Sequence, residues 1–153
     1  MGQLIHAGDL RLLQFGQQIR RNAAVLPASG TGHIFTVSGG LVVVTALVGQ
    51  VTTACSATAT TLKITATPST GTAVDLTSAV AVTSAEAGSL ITLPTTLGGA
   101  LSVTTSGAGQ IPGLQFLVAP GTIDITTSAT NTGQVAWSLT YAPWDNGGQV
   151  YAA

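Results

Sequence analysis

Thr122-Ile123-Asp124-Ile125-Thr126 and Val135-Ala136-Trp137-Ser138-Leu139-Thr140-Tyr141 are the most strongly patterned runs of this chain. Pro120-Gly121 opens the stretch as a turn, and Ala129-Thr130-Asn131-Thr132-Gly133 connects the two runs. In the second run large residues alternate with small ones. Side chains on a strand point to opposite faces with a period of two, so Val135, Trp137, Leu139 and Tyr141 share one face. Ile123 and Ile125 likewise share a face, with Asp124 directed outward. Two strands joined by a loop of about five residues that contains Gly predict a β-hairpin. The pattern is that of an all-β protein, and by itself it names no chemistry.

On either side of this stretch the chain continues in the same style. His33 to Ser38 reads as a strand and Gly39-Gly40 as a turn. Leu41 to Val48 is apolar at nearly every position, which predicts a strand covered on both faces. Gly49 marks an expected bulge before the strand resumes over Val51 to Ala57. Thr61 to Thr67 alternates, with Leu62, Ile64 and Ala66 inward and Lys63 and Thr65 outward. Pro68-Ser69-Thr70-Gly71 has turn chemistry. Shorter strands are expected at Val74 to Leu76, Val80 to Val82, Ser89 to Leu93, Leu101 to Thr104 and Leu114 to Val118. Pro143 to Gly148 ends the pattern, leaving Gln149 to Ala153 as a short tail. About eight to ten short strands with turn signals between them predict an antiparallel β-sandwich or barrel.

The 153 residues suffice for one ordinary domain with a real core. Only 6% of them are charged, against roughly 25% in typical soluble domains. Thr, Ser, Gly and Ala take the place of the missing charge. A hydrated surface with a net charge of −1 offers little electrostatic protection against association. That favours a subunit whose surface is used in an assembly. The single Cys55 excludes a disulfide framework, and its small neighbours point to a buried core position. The first residues lack the basic start and apolar run of a secretory signal. Leu41 to Val48 is far too short to span a bilayer as a helix, so no membrane partner is expected.

The first 28 residues differ from the rest, and Pro27 to Gly32 reads as a hinge before a body over 33–153. Asp9 is a candidate cap for a short helix over Leu10 to Arg21, interrupted at Gly16; an extended arm is the alternative. Leu10, Leu13, Phe15 and Ile19 are too apolar for a free tail, and Arg11, Arg20 and Arg21 lie among them. The remainder of the chain has one cation, Lys63, against Asp75, Glu86, Asp124 and Asp145. Apolar anchors beside arginines predict a docking segment for an acidic partner. So few cations argue against nucleic acid as that partner.

No motif for catalysis or metal binding emerges. His6 and His33 have no companions at ligand spacing. Serines abound without a Gly-x-Ser-x-Gly elbow. Asp145-Asn146-Gly147-Gly148 lacks the oxygen ligands of a calcium loop and reads as a turn. Trp144, within that turn, is a candidate exposed contact or a lid over the end of the sandwich.

The run Ile34-Phe35-Thr36-Val37-Ser38-Gly39-Gly40-Leu41-Val42-Val43-Val44-Thr45-Ala46-Leu47-Val48-Gly49 resembles a segment of small structural proteins of tailed bacteriophages. So does Val118-Ala119-Pro120-Gly121-Thr122-Ile123-Asp124, followed by Asn131-Thr132-Gly133-Gln134-Val135-Ala136-Trp137-Ser138-Leu139-Thr140-Tyr141. The resemblance covers about residues 33–153 and consists of strand and turn residues, not of a catalytic signature. It implies a non-enzymatic virion protein without a cofactor, made in the host cytoplasm and carried on the capsid surface. A decoration or cement role is the first expectation, with the major capsid protein and copies of the chain itself, a trimer preferred, as partners. A head-fibre base or tail component is the alternative within virions. A glycan-binding module that stacks sugar on Trp144 and Tyr141 is the alternative of another class.

Overall fold

The computed structural model describes residues 6–105, 107–112 and 115–153. Leu114, the expected start of one short strand, lies outside the described residues. Among the described residues one helix, α1 (Ala7–Phe15), precedes twelve strands: β1 (Gln17–Val25), β2 (Thr31–Ser38), β3 (Val42–Thr53), β4 (Thr61–Pro68), β5 (Val74–Asp75), β6 (Val80–Ala81), β7 (Leu90–Thr92), β8 (Ser102–Thr104), β9 (Phe116–Val118), β10 (Gly121–Thr127), β11 (Gln134–Pro143) and β12 (Gln149–Ala152). They form two sheets. Sheet I has the order β1-β11-β3-β7-β8, with β9 also on β3; sheet II has the order β12-β2-β10-β4-β5, with β6 also on β4. The strand pairings are antiparallel. The fold is an all-β sandwich, as the alternation predicts.

The core lies between the sheets. Trp137, Leu139 and Tyr141 of β11 and Val42, Val44 and Leu47 of β3 meet Ile34, Phe35, Ile123, Ile125, Leu62 and Ile64 of sheet II. Gly49 sits opposite Trp137 in the β3–β11 register. A Cβ at Gly49 would stand 2.8 Å from the indole ring, so the missing side chain is the space the tryptophan fills. This corrects the expected bulge at Gly49: β3 runs unbroken from Val42 to Thr53, and its irregularities lie opposite Gln134/Val135 and Thr140/Tyr141.

The strongest local pattern was also the most misleading about connection. β10 pairs with β2 and β4 in sheet II, whereas β11 pairs with β1 and β3 in sheet I. The two runs are therefore not a hairpin but a crossing from one sheet to the other. Asn131 fixes that crossing from a buried position. Its Oδ1 accepts from Ser56 N (2.8 Å) and Gly133 N (3.0 Å), and its Nδ2 donates to Thr60 Oγ1 (3.1 Å). A side-chain amide thus ties the crossing loop to the segment between β3 and β4 and satisfies backbone donors in both.

The N-terminal segment also departs from expectation. The helix ends at Phe15, with Gly16 at a positive φ of 84°. Asp9 is not the cap residue; His6 is, and Asp9 Oδ2 accepts the His6 N–H at 3.2 Å. Gln17 to Val25 is the edge strand of sheet I, paired along β11 from Gln17↔Tyr141 to Val25↔Gln134. The sandwich therefore begins at residue 17, not at 33. Without β1, the long β11 would present a row of unpaired backbone groups. At the other terminus the expected tail is β12, which edges sheet II against β2.

Candidate functional site

The two outward faces of the sandwich differ in chemistry. Sheet II presents hydroxyls and charges that satisfy one another. Thr31 and Thr126 hydroxyls meet at 2.9 Å. Lys63 Nζ donates to both Asp75 oxygens, at 3.0 and 2.8 Å, and the Thr65 hydroxyl donates to Asp75 Oδ1 at 2.9 Å. These donors hold the Asp75 carboxyl below the ordinary aspartate range, the Lys63 hydrogen bond first among them.

Asp124 lies on this face yet is buried. Its Oδ2 accepts from Thr67 Oγ1 (2.7 Å) and Thr122 Oγ1 (3.1 Å), and its Oδ1 lies 2.6 Å from His33 Nδ1. The His33 ring itself is mostly exposed. The hydroxyls bond the carboxylate rather than the imidazole, so the order nucleophile–base–acid of a hydrolase is not present here. The sequence carried no sign of this pair, because it depends on β2 and β10 being neighbours. Among the described residues no group of three or more His, Cys, Asp or Glu side chains is placed to hold a metal ion. Cys55 is buried, as expected, and burial pushes its thiol up.

Sheet I is different. α1 lies across its outer face, where the Thr45 hydroxyl donates to the Phe15 carbonyl and contacts the Thr140 hydroxyl at 2.7 Å. Phe15, Ala46, Val48 and Ile111 give a groove of about 150 Å³ its apolar lining, and Arg11 also borders it. Through Val48 and Ser138 the groove adjoins a second depression bordered by Arg20 and Arg21. Among the described residues no carboxylate lines either one. Arg21 Nε also donates to the Ala153 carbonyl at 3.0 Å, tying the edge of sheet I to the end of β12.

Several exposed apolar residues gather on the same side, whereas Val74 lies on sheet II and Trp144 and Tyr151 lie at the end of the sandwich. α1 buries none of its residues; Leu10 and Leu12 are half-exposed and Leu13 is 76% exposed. Ile111 and Leu117 are half-exposed as well. Of the expected docking residues, Leu10, Arg11, Leu13, Arg20 and Arg21 are thus at the surface or in these depressions. Phe15 is partly buried in the groove, and Ile19 packs against the core, so neither is a free anchor. Leu12, expected on one face with Phe15 and Ile19, is half-exposed instead, and Ile111 and Leu117 join the patch without having been singled out by the sequence, because only the packing of α1 and β9 on sheet I shows which of the chain's apolar residues stay uncovered.

Trp144 is 64% exposed and does not lid the sandwich. Tyr141 is buried, and its hydroxyl donates to Gln17 Oε1 at 2.8 Å. The expectation that Tyr141 stacks on sugar beside Trp144 is therefore wrong. Its place in the alternation of β11 commits the ring to the core. No family model matches this chain, and neither curated proteins nor solved structures include a significant match to it.

Proposed function

We propose that this chain is a non-enzymatic structural subunit of a tailed-phage virion, a decoration protein that docks on the capsid through α1 and the outer face of sheet I. One observation carries the reading. Sheet II neutralises its own polar groups, whereas sheet I gathers uncovered leucines and arginines with no carboxylate among the described residues that line its depressions. A helix of nine residues is marginal in water by itself, and this one buries none of them. Such a helix gains most of its stability from a partner that covers its leucines. Apolar burial at about 25 cal/mol per Å² supplies the attraction, less the cost of association, and arginine forks orient it on carboxylates. Repeated over a shell, contacts that bridge capsomers oppose expansion under internal pressure.

Self-association through the remaining β surface, with a trimer as the preferred state, belongs to the same proposal. Mass spectrometry of virions of the phage that encodes the chain tests the reading. A copy number tied to the capsid lattice is expected. A handful of copies per particle indicates a head-fibre base or tail component instead, and absence from virions refutes the proposal.

A further inference from the structure

At the end of the sandwich where β1, β11 and β12 meet, an open groove is lined by Gln17, Trp144, Asn146, Gln149 and Tyr151, among others. It is remote in chemistry from the apolar and basic face of sheet I. Two exposed aromatic rings lie in it, Trp144 at 64% and Tyr151 at 51%. Side-chain amides accompany them. Gln17 Oε1 accepts the Tyr141 hydroxyl, and Gln149 Oε1 accepts the Tyr151 hydroxyl, while no hydrogen bond among the described residues engages either amide nitrogen. Among the described residues Asp145 is the one charged side chain lining the groove, and its Oδ2 is occupied by the Leu41 N–H at 2.8 Å.

The turn that carries Trp144 is built rigidly. The Leu41 carbonyl accepts both Trp144 N (3.0 Å) and Asp145 N (3.1 Å). Gly39, at a φ of 75°, lies so close to the Gly147 carbonyl that no side chain fits between them. The turns after β2 and after β11 therefore pack backbone to backbone. A large apolar ring held in water on a fixed turn is pre-organised to receive a flat apolar surface. Amide donors beside it match hydroxyl groups.

We infer that this groove binds a neutral saccharide, with a pyranose face stacked on Trp144 and flanked by Tyr151 and its hydroxyls paired with Gln17, Asn146 and Gln149. A ligand with apolar ring faces and a polar, uncharged rim fits both halves of that lining. An anionic sugar would meet Asp145. The site is independent of docking through sheet I, and the two can act together: one face holds the particle while the other end samples surface glycan.

The test is calorimetric titration of the full chain with neutral oligosaccharides: α- and β-linked glucose, mannose, galactose and N-acetylglucosamine oligomers. Binding to at least one is expected, with affinity about tenfold weaker in Trp144→Ala and in Tyr151→Ala. Trp144 lies outside the core, so both variants should unfold with the wild-type midpoint. Failure of every oligosaccharide to bind, or equal binding by both variants, overturns the inference. So does a change of oligomeric state in Trp144→Ala by analytical ultracentrifugation with sugar binding unchanged, which would make the groove a contact between subunits.

Discussion

Trp137 and Gly49 are matched in size across the β3–β11 register: the ring is buried and the residue opposite has no side chain to offer. Trp137→Ala should lower stability by about 3–5 kcal/mol, the usual cost of emptying an aromatic core site. Gly49→Ala should cost about 1–3 kcal/mol by overpacking, since either the indole or the strand must shift. Chemical denaturation checks both, and wild-type midpoints would show that the ring has room to move. Alternation of large and small residues along β11 made the burial of Trp137 legible from the sequence. The partnership with Gly49 was not, because register across two distant strands is a tertiary fact. Asp124 shows the same limit. Its outward direction follows from the flanking isoleucines, whereas its burial comes from His33, Thr67 and Thr122 on neighbouring positions. Asp75 supplies a pH test. Its carboxyl is depressed in the folded state, so its contribution is present above the unfolded aspartate pKa of about 3.9 and is lost as pH falls through the folded value. The pair is half-exposed to solvent and the effect is small. Stability measured between neutral pH and about pH 3 should fall slightly less in Asp75→Asn than in wild type; identical slopes would show that Lys63 contributes nothing.

At the scale of elements, β1 and the crossing between β10 and β11 reorganise what the sequence implied. Strand existence was readable nearly throughout, since turn residues and apolar alternation are local properties. Strand partners were not: a loop of the right length for a hairpin instead carries the chain between sheets, held by the buried Asn131. Gln17 to Val25 has only weak alternation, and the free edge of β11 is what draws it into the sheet. This separates two truncations. Removing residues 1–15 takes away α1 and should leave a folded body with a near-native circular dichroism spectrum and unfolding midpoint. Removing residues 1–28 strips β1 from β11 and uncovers the side of Trp137, so that variant should be soluble poorly or not at all. Equal stability of the two truncations would mean that β1 adds nothing to the sandwich.

The whole molecule is polarised. Three of its four basic residues lie on β1 and α1, against or beside sheet I, while the fourth, Lys63, is paired on sheet II. The segmental bias of charge and the leucines of the first 21 positions were plain in the sequence. That Leu10, Leu12, Leu13, Arg11 and Arg20 share one face with Ile111 and Leu117 required the fold, because α1, β3 and β9 are brought together only by packing. Low charge elsewhere is accommodated by threonines that bond to each other and to Asp75 and Asp124. The proposed docking on a particle surface would cover one side of such a molecule and leave the other hydrated. The most direct measurement is co-sedimentation of purified capsids lacking the chain with wild-type protein and with the variant Leu10→Ser, Arg11→Ser, Leu13→Ser, whose altered side chains all lie on the exposed helix. The account predicts saturable binding of the wild type and loss of most binding by the variant at an unchanged unfolding midpoint; a variant that binds capsids as tightly as the wild type would contradict it.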